Sequence, residues 1–358
     1  MPARYCVMNN YEDLPQVIPS EVDIAIDPVF FAGLDGMISA FAAHEGVQVV
    51  QKIWHGTRKC AYILATDAPR AFLQLDFFVE FSIKHCPNLI SNDDLLNDRQ
   101  PYRNFYIPRP DVERLFTVMR RLFKDDWEVR HCDRVCELGG RISGEAWLPA
   151  RFAWLQNSFD LAVAGDVETL ASQRAAHWAK LKQTAKNGLS PLAKWRNLGW
   201  QSRRGVARLG DETGNLSLVF GEIAGEADAV SALGMAFHRQ LTIDEAWLEK
   251  RGKGGFPGGM LALIARLKLL KQRKGLVLVR VGPRTPRARK LAAQLRRFGL
   301  IDQILLAEGE EEARAWGAPL VEVKDGSELI EAILATQTAK TKIALARKWT
   351  QTSRRADG

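Results

Sequence analysis

Apolar and polar positions along this chain follow two periods. Continuous apolar runs, or runs with period two, predict strands over Tyr5–Asn9, Val22–Ile26, Val47–Trp54, Cys60–Thr66 and Phe72–Phe78. Between Pro28 and His44 the positions Phe30, Phe31, Leu34, Met37, Ile38 and Phe41 recur at helical spacing, and Glu45-Gly46 ends the pattern. The first part therefore reads strand, strand, helix, then three strands joined by the turn formers His55-Gly56-Thr57 and Asp67-Ala68-Pro69. Pro108-Arg109-Pro110-Asp111 opens a further helix carried by Val112, Leu115, Phe116, Met119 and Leu122, with Asp111 complementing its N-terminal dipole.

Residues 148–206 read as mostly helical. Beyond the loop-forming Gly210-Asp211-Glu212-Thr213-Gly214, strands are predicted at Leu216–Phe220, Leu276–Val281, Gln303–Leu306 and Leu320–Val323. Helices are predicted between them, from about Glu226 to His238 and at Arg287–Arg297, Glu310–Trp316 and Ser327–Thr336. Strands alternating with helices imply a parallel, doubly wound sheet. The expected organisation is an α/β domain over 1–147, a basic helical connector over 148–210, a parallel-sheet α/β domain over 211–338 and a frayed basic tail over 339–358.

Composition adds bounds rather than identity. A chain of 358 residues, 46% hydrophobic and 26% charged, can bury two or three cores and is unlike a disordered protein. No apolar run reaches membrane-spanning length and Met1-Pro2-Ala3-Arg4 does not open a signal peptide, so cytoplasmic location is the default expectation. Five cysteines are an odd, sparse set and match no closed zinc pattern, so reduced core or surface thiols are expected. The net charge of +8 is concentrated, because Thr169 to Gly210 contains no Asp or Glu. Arg174, Lys180, Lys182, Lys186, Lys194, Arg196, Arg203, Arg204 and Arg208 lie there, interleaved with Trp178, Trp195 and Trp200. Residues 174–208 can thus meet an anionic membrane surface or another phosphate-bearing partner. Nucleic acid is the less favoured partner, since no recognition fold accompanies the charge.

The chemistry resides in acids on strands. Residues two apart point to one side of a strand, so Glu21 and Asp23 in Ser20-Glu21-Val22-Asp23-Ile24-Ala25-Ile26 present their carboxylates together. Asp76, in Leu73-Gln74-Leu75-Asp76-Phe77-Phe78, supplies a third, and three such acids on neighbouring strands repel unless a cation joins them.

With these acids, the turn Val7-Met8-Asn9-Asn10-Tyr11 and the Ile107-Pro108 helix start, residues 5–130 resemble the nucleotidyltransferase superfamily. The resemblance is to the version fused to thymidylate-kinase-like domains in polysaccharide gene clusters. It implies a mixed sheet and a nucleoside triphosphate with Mg2+ held by Glu21, Asp23 and Asp76. Asp76 would be catalytic, activating the hydroxyl of a sugar or glycolipid acceptor. Asn9 and Asn10 occupy the turn where the superfamily has a phosphate-holding Gly-Ser pair.

The second half resembles a degenerate thymidylate-kinase-like domain. Gly221-Glu222-Ile223-Ala224-Gly225-Glu226-Ala227-Asp228 sits where a phosphate loop would, without its lysine and hydroxyl. Gly252–Gly259 is glycine-rich and reads as a connector. Arg284 and Arg287, at a predicted strand's carboxyl end, are the better anion-binding candidates there. Two functions follow: a magnesium-dependent nucleotidyltransferase of surface-polysaccharide metabolism, or a non-catalytic binding and assembly protein docking through its basic connector.

Overall fold

A computed structural model describes residues 4–9, 11–17, 19, 21–56, 58–67, 70–83, 86–124, 126–144, 146–187, 192, 195, 198–199, 202, 214–234, 236–237, 239–244, 247, 257–280, 293–307 and 320–356. The protein is mixed α/β, and its described residues form two five-stranded sheets and two small two-stranded ones. Among the described residues no helix is long and apolar enough to cross a membrane.

The chain divides into two compact units interleaved along the sequence. The first takes residues 1–32, 55–60 and 75–203, and the second takes 33–54, 61–74 and 204–358. The N-terminal sheet has the order β1-β2-β5-β4-β3, from β1 (Tyr5–Val7), β2 (Glu21–Ile26), β3 (Gln48–Gly56), β4 (Lys59–Asp67) and β5 (Arg70–Phe78). β1 and β2 are antiparallel, with Cys6 opposite Ala25. Two residues separate β3 from β4 and β4 from β5, a connection length that permits only antiparallel neighbours.

In the first unit, the hairpins β6 (Phe81–Ile83)–β7 (Cys86–Ile90) and β8 (Gln100–Tyr102)–β9 (Phe105–Ile107) lead into α4 (Pro110–Lys124). Ahead of it, α3 (Asn92–Leu96) starts with a capping box between Ser91 and Asp94. Val112, Leu115, Phe116, Met119 and Leu122 of α4 are buried at the spacing the sequence gives them. They share a core with α5 (Val129–Gly140), a 3-10 turn at Ala150–Leu155, α6 (Gln156–Val163), α7 (Val167–Ser172) and α8 (Arg174–Asn187). α8 joins that core through buried Leu181 and through Trp178, whose ring lies 4.4 Å from that of Phe123.

The helix expected over residues 28–44 is two. Asp27 caps α1 (Pro28–Phe31) by accepting from Val29 N, and α2 (Leu34–Glu45) starts after Gly33 and ends on Gly46 at φ 66°. Only Leu34, Ile38 and Ala42 of α2 are buried, one stripe at four-residue steps.

The second unit is built on a parallel sheet of order β11-β12-β10-β13-β14. Its strands are β10 (Asn215–Phe220), β11 (Arg239–Ile243), β12 (Gly275–Arg280), β13 (Gln303–Ala307) and β14 (Leu320–Val323). Among its described helices are α9 (Glu226–Leu233), α10 (Pro257–Lys274) and α11 (Gly326–Ala356). Near-continuous apolar strands such as Leu276–Val279 are buried on both faces, as parallel strands are. The residues read as a frayed basic tail continue α11, with Thr341, Ala344 and Leu345 buried. The parts of β3, β4 and β5 in this unit pack Val50, Ile63 and Ala65 into one cluster with α9 and α11. Gln337 and Thr341 donate to Val50 O at 3.0 and 2.7 Å.

Candidate functional site

Glu21 and Asp23 lie on β2 as the strand period requires, and Asp76 lies on the neighbouring β5. Asp23 is only 1% exposed, and Asp76 is buried as well. A carboxylate so placed needs a counter-charge or it gives up its ionised form. Arg120 of α4 supplies it. One terminal nitrogen donates to Asp23 Oδ2 and the other to Glu21 Oε1 at 2.5 Å. Burial works against the Arg120 charge, but Asp23, then Glu21 and Asp76, outweigh it and hold its pKa above the ordinary value. Lys59 Nζ stands 3.6 Å from Asp76, and Lys124 Nζ 4.0 Å from Glu21. Burial and the Arg120 charge lower the pKa of Lys124.

Glu21 and Asp23 are thus joined through Arg120, whereas Asp76 bears on Arg120 by charge and stands beside Lys59. Carboxylate oxygens are the donors a magnesium ion takes. Here the space joining Glu21 to Asp23 is filled by a guanidinium, and among the described residues no three His, Cys, Asp or Glu form a metal-holding group. The residues as placed do not fit the ion.

Beside this cluster opens a cavity of about 810 Å³, lined among others by Asn9, Glu21, Thr117, Arg120, His131 and Arg134. Asn9 Oδ1 lies 3.5 Å from Arg120 Nη1, so this turn residue does reach the site; Asn10 lies outside the described residues. His131 Nδ1 accepts from Glu128 N at 3.1 Å, which leaves the ring proton on Nε2. Burial, followed by Arg121 and Arg130, lowers its pKa and keeps it neutral. Arg134, also on the cavity wall, binds Glu12, Glu113 and Glu137 at 2.6, 2.6 and 2.7 Å. Behind it, the Tyr11 hydroxyl donates to Glu113 Oε2 at 2.6 Å. Burial raises Glu113 to about 7 against the pull of Arg134.

Sequence reasoning missed Arg120, Arg134 and Glu113, although α4 carries the signal. Glu113, Thr117 and Arg120 are buried at steps of four and three, a polar stripe on a helix whose other buried positions are mostly apolar. Such a stripe calls for partners inside the fold.

In the second unit, the segment inspected for a phosphate loop follows β10 and leads into α9. Gly225 caps the helix at φ 71°, a conformation that suits glycine, and a Cβ on Gly326 would meet Gly225 O at 2.6 Å. The first residue of α9, Glu226, is buried. Arg280, at the end of β12, holds it with Nε and Nη2 at 2.9 and 2.8 Å. The helix N-terminus that could attract a phosphate is paired with its own carboxylate. Arg284, Arg287 and most of the glycine-rich 252–259 loop lie outside the described residues. Cys6, Cys60, Cys86 and Cys132 are buried and Cys136 is exposed, and none of the five forms a disulfide.

No family model, curated protein or solved structure matches the chain.

Proposed function

We propose that this chain is a non-catalytic binding protein, built on two units that resemble nucleotide-handling folds and whose reactive positions are closed by internal ion pairs. The observation that carries this reading is the Arg120 guanidinium lying between Asp23 and Glu21. A buried pair of this kind is costly to break, since separating it leaves Asp23 charged and unpaired. The Arg280–Glu226 pair at the start of α9 supports the same reading in the second unit.

The cavity beside Arg120 is then the ligand site. Its wall mixes cations, carboxylates, an amide and a neutral histidine. Such a wall suits a molecule that carries both anionic groups and hydroxyls, for which a nucleoside triphosphate is the resembling family's type. Binding by this wall needs no divalent ion.

Titration calorimetry of the full chain with ATP, UTP and UDP-glucose, with Mg2+ and with EDTA, tests the proposal. Expected are binding that survives EDTA and no labelled product when a nucleotide is incubated with candidate sugars. Mg2+-dependent transfer of label would overturn it.

The second reading, a magnesium-dependent nucleotidyltransferase with a sugar or glycolipid acceptor, is favoured by the convergence of three carboxylates on one cation. It requires Arg120 to leave its place. Transfer that appears with Mg2+ and disappears in Asp76→Asn would establish it.

A further inference from the structure

We propose that the cavity beside Arg120 takes a phosphomonoester of a polyhydroxylated molecule, with its phosphate on His131; the inference rests on this cavity being the ligand site. His131 is only 8% exposed and lines the cavity. Its Nδ1 is taken by the Glu128 amide, and its protonated Nε2 has no partner among the described residues. A donor buried to that extent is normally matched, so an unmatched one on a cavity wall marks where a ligand acceptor sits. The local field favours an anion there. At the ring, the guanidiniums of Arg121 and Arg130 outweigh the carboxylates of Asp126 and Glu128.

Further along α5 the bias reverses. Glu137 follows Arg130 by seven residues, about 10 Å along the helix axis. The cavity wall there sets Glu12, Asp13 and Glu137 against Arg134, which already binds Glu12 and Glu137. Carboxylates accept hydrogen bonds and repel phosphates, so this end takes hydroxyl donors. A triphosphate laid along the wall would meet like charge. Phe116 lines the cavity but is 2% exposed, so its ring offers a nucleobase no open face to stack on. One anionic head on a hydroxylated body matches the order of charge along the wall.

Titration calorimetry of the full chain with glucose 6-phosphate, glucose, inorganic phosphate and ATP, all in EDTA, tests the inference. Expected is binding of glucose 6-phosphate at least about tenfold tighter than that of each of the other three. In wild type it should also shift the nuclear magnetic resonance signal of His131 Nε2, which a merely structural histidine would not show. His131→Leu should lose about tenfold in affinity at unchanged circular dichroism. His131→Gln, whose amide donates from nearly the same place, should recover part of that loss. ATP bound as tightly as glucose 6-phosphate, or wild-type affinity in His131→Leu, would overturn the inference while leaving the cavity as the ligand site. An Nε2 signal unmoved at saturation would do the same. Binding of none of the four would overturn both.

Discussion

Arg120 binds two carboxylates with one planar group, a task that a lysine's single ammonium performs poorly. Arg120→Met keeps much of the side chain's volume but strands the buried Asp23 carboxylate. A loss of ~3–5 kcal/mol is expected, read as a lower urea midpoint at unchanged slope. With the guanidinium gone, Glu21 and Asp23 lose the cation they share, while Lys59 stays beside Asp76. Millimolar Mg2+ is then expected to raise the Tm of Arg120→Met while leaving wild type unmoved; equal shifts in both proteins would contradict the proposed role of Arg120. Glu113 carries a second residue-scale prediction. Its folded pKa of about 7 lies above the ordinary value of 4.5, so between those values the folded state holds the extra proton. Its contribution to stability therefore falls as pH rises through that window, and Glu113→Gln, with Tyr11 still able to donate, should flatten the fall. Unfolding midpoints at pH 5 and pH 8 check it.

At the scale of elements, Gly326→Ala tests how closely α9 and α11 begin. The added methyl meets a backbone oxygen rather than a side chain that could turn away, so a loss of ~1–3 kcal/mol is expected by thermal unfolding. Strands and amphipathic helices with dense apolar runs were legible in the sequence: β2, β10, β12 and α4 lie within a residue or two of their predicted bounds. β11 was missed because Arg-Gln-Leu-Thr-Ile carries only two strongly apolar residues, and its pairing with β12 places it. The interruption of the helix at Gly33 was masked by apolar spacing that continues through it. The acids of the site were legible from period two along β2. Their counter-ion was not, because Arg120 is 97 residues from Asp23 and pairs with it only once α4 has packed. Of the basic stretch, Lys194, Arg196, Arg203, Arg204 and Arg208 lie outside the described residues.

At the scale of the whole molecule, buried ionic clusters tie distant stretches together within each unit. In the second, Asp302 binds Lys271 and Lys340 at 2.7 Å each and accepts from Leu216 N at 2.7 Å. Burial lowers Lys271 to about 8, below the ordinary value of 10.5, despite the attraction of Asp302. Between those values the unfolded chain holds the extra proton, so this group's contribution makes stability rise with pH over that window. Lys271→Met should remove that rise in urea unfolding measured at pH 8 and pH 10; an undiminished slope would place its origin elsewhere.

The bonds from Gln337 and Thr341 to Val50 close a long loop, since Gln337 lies 287 positions beyond Val50. A ribosome releases Val50, Ile63 and Ala65 long before α11 exists to cover them. The second unit can be completed only once α11 has emerged, which leaves an early apolar hairpin awaiting its cover. A fragment of residues 211–358 is born without that hairpin, and a fragment of residues 1–147 without the helix that packs on it. Neither half should fold alone, whereas co-expression of the two should recover soluble protein that neither gives by itself.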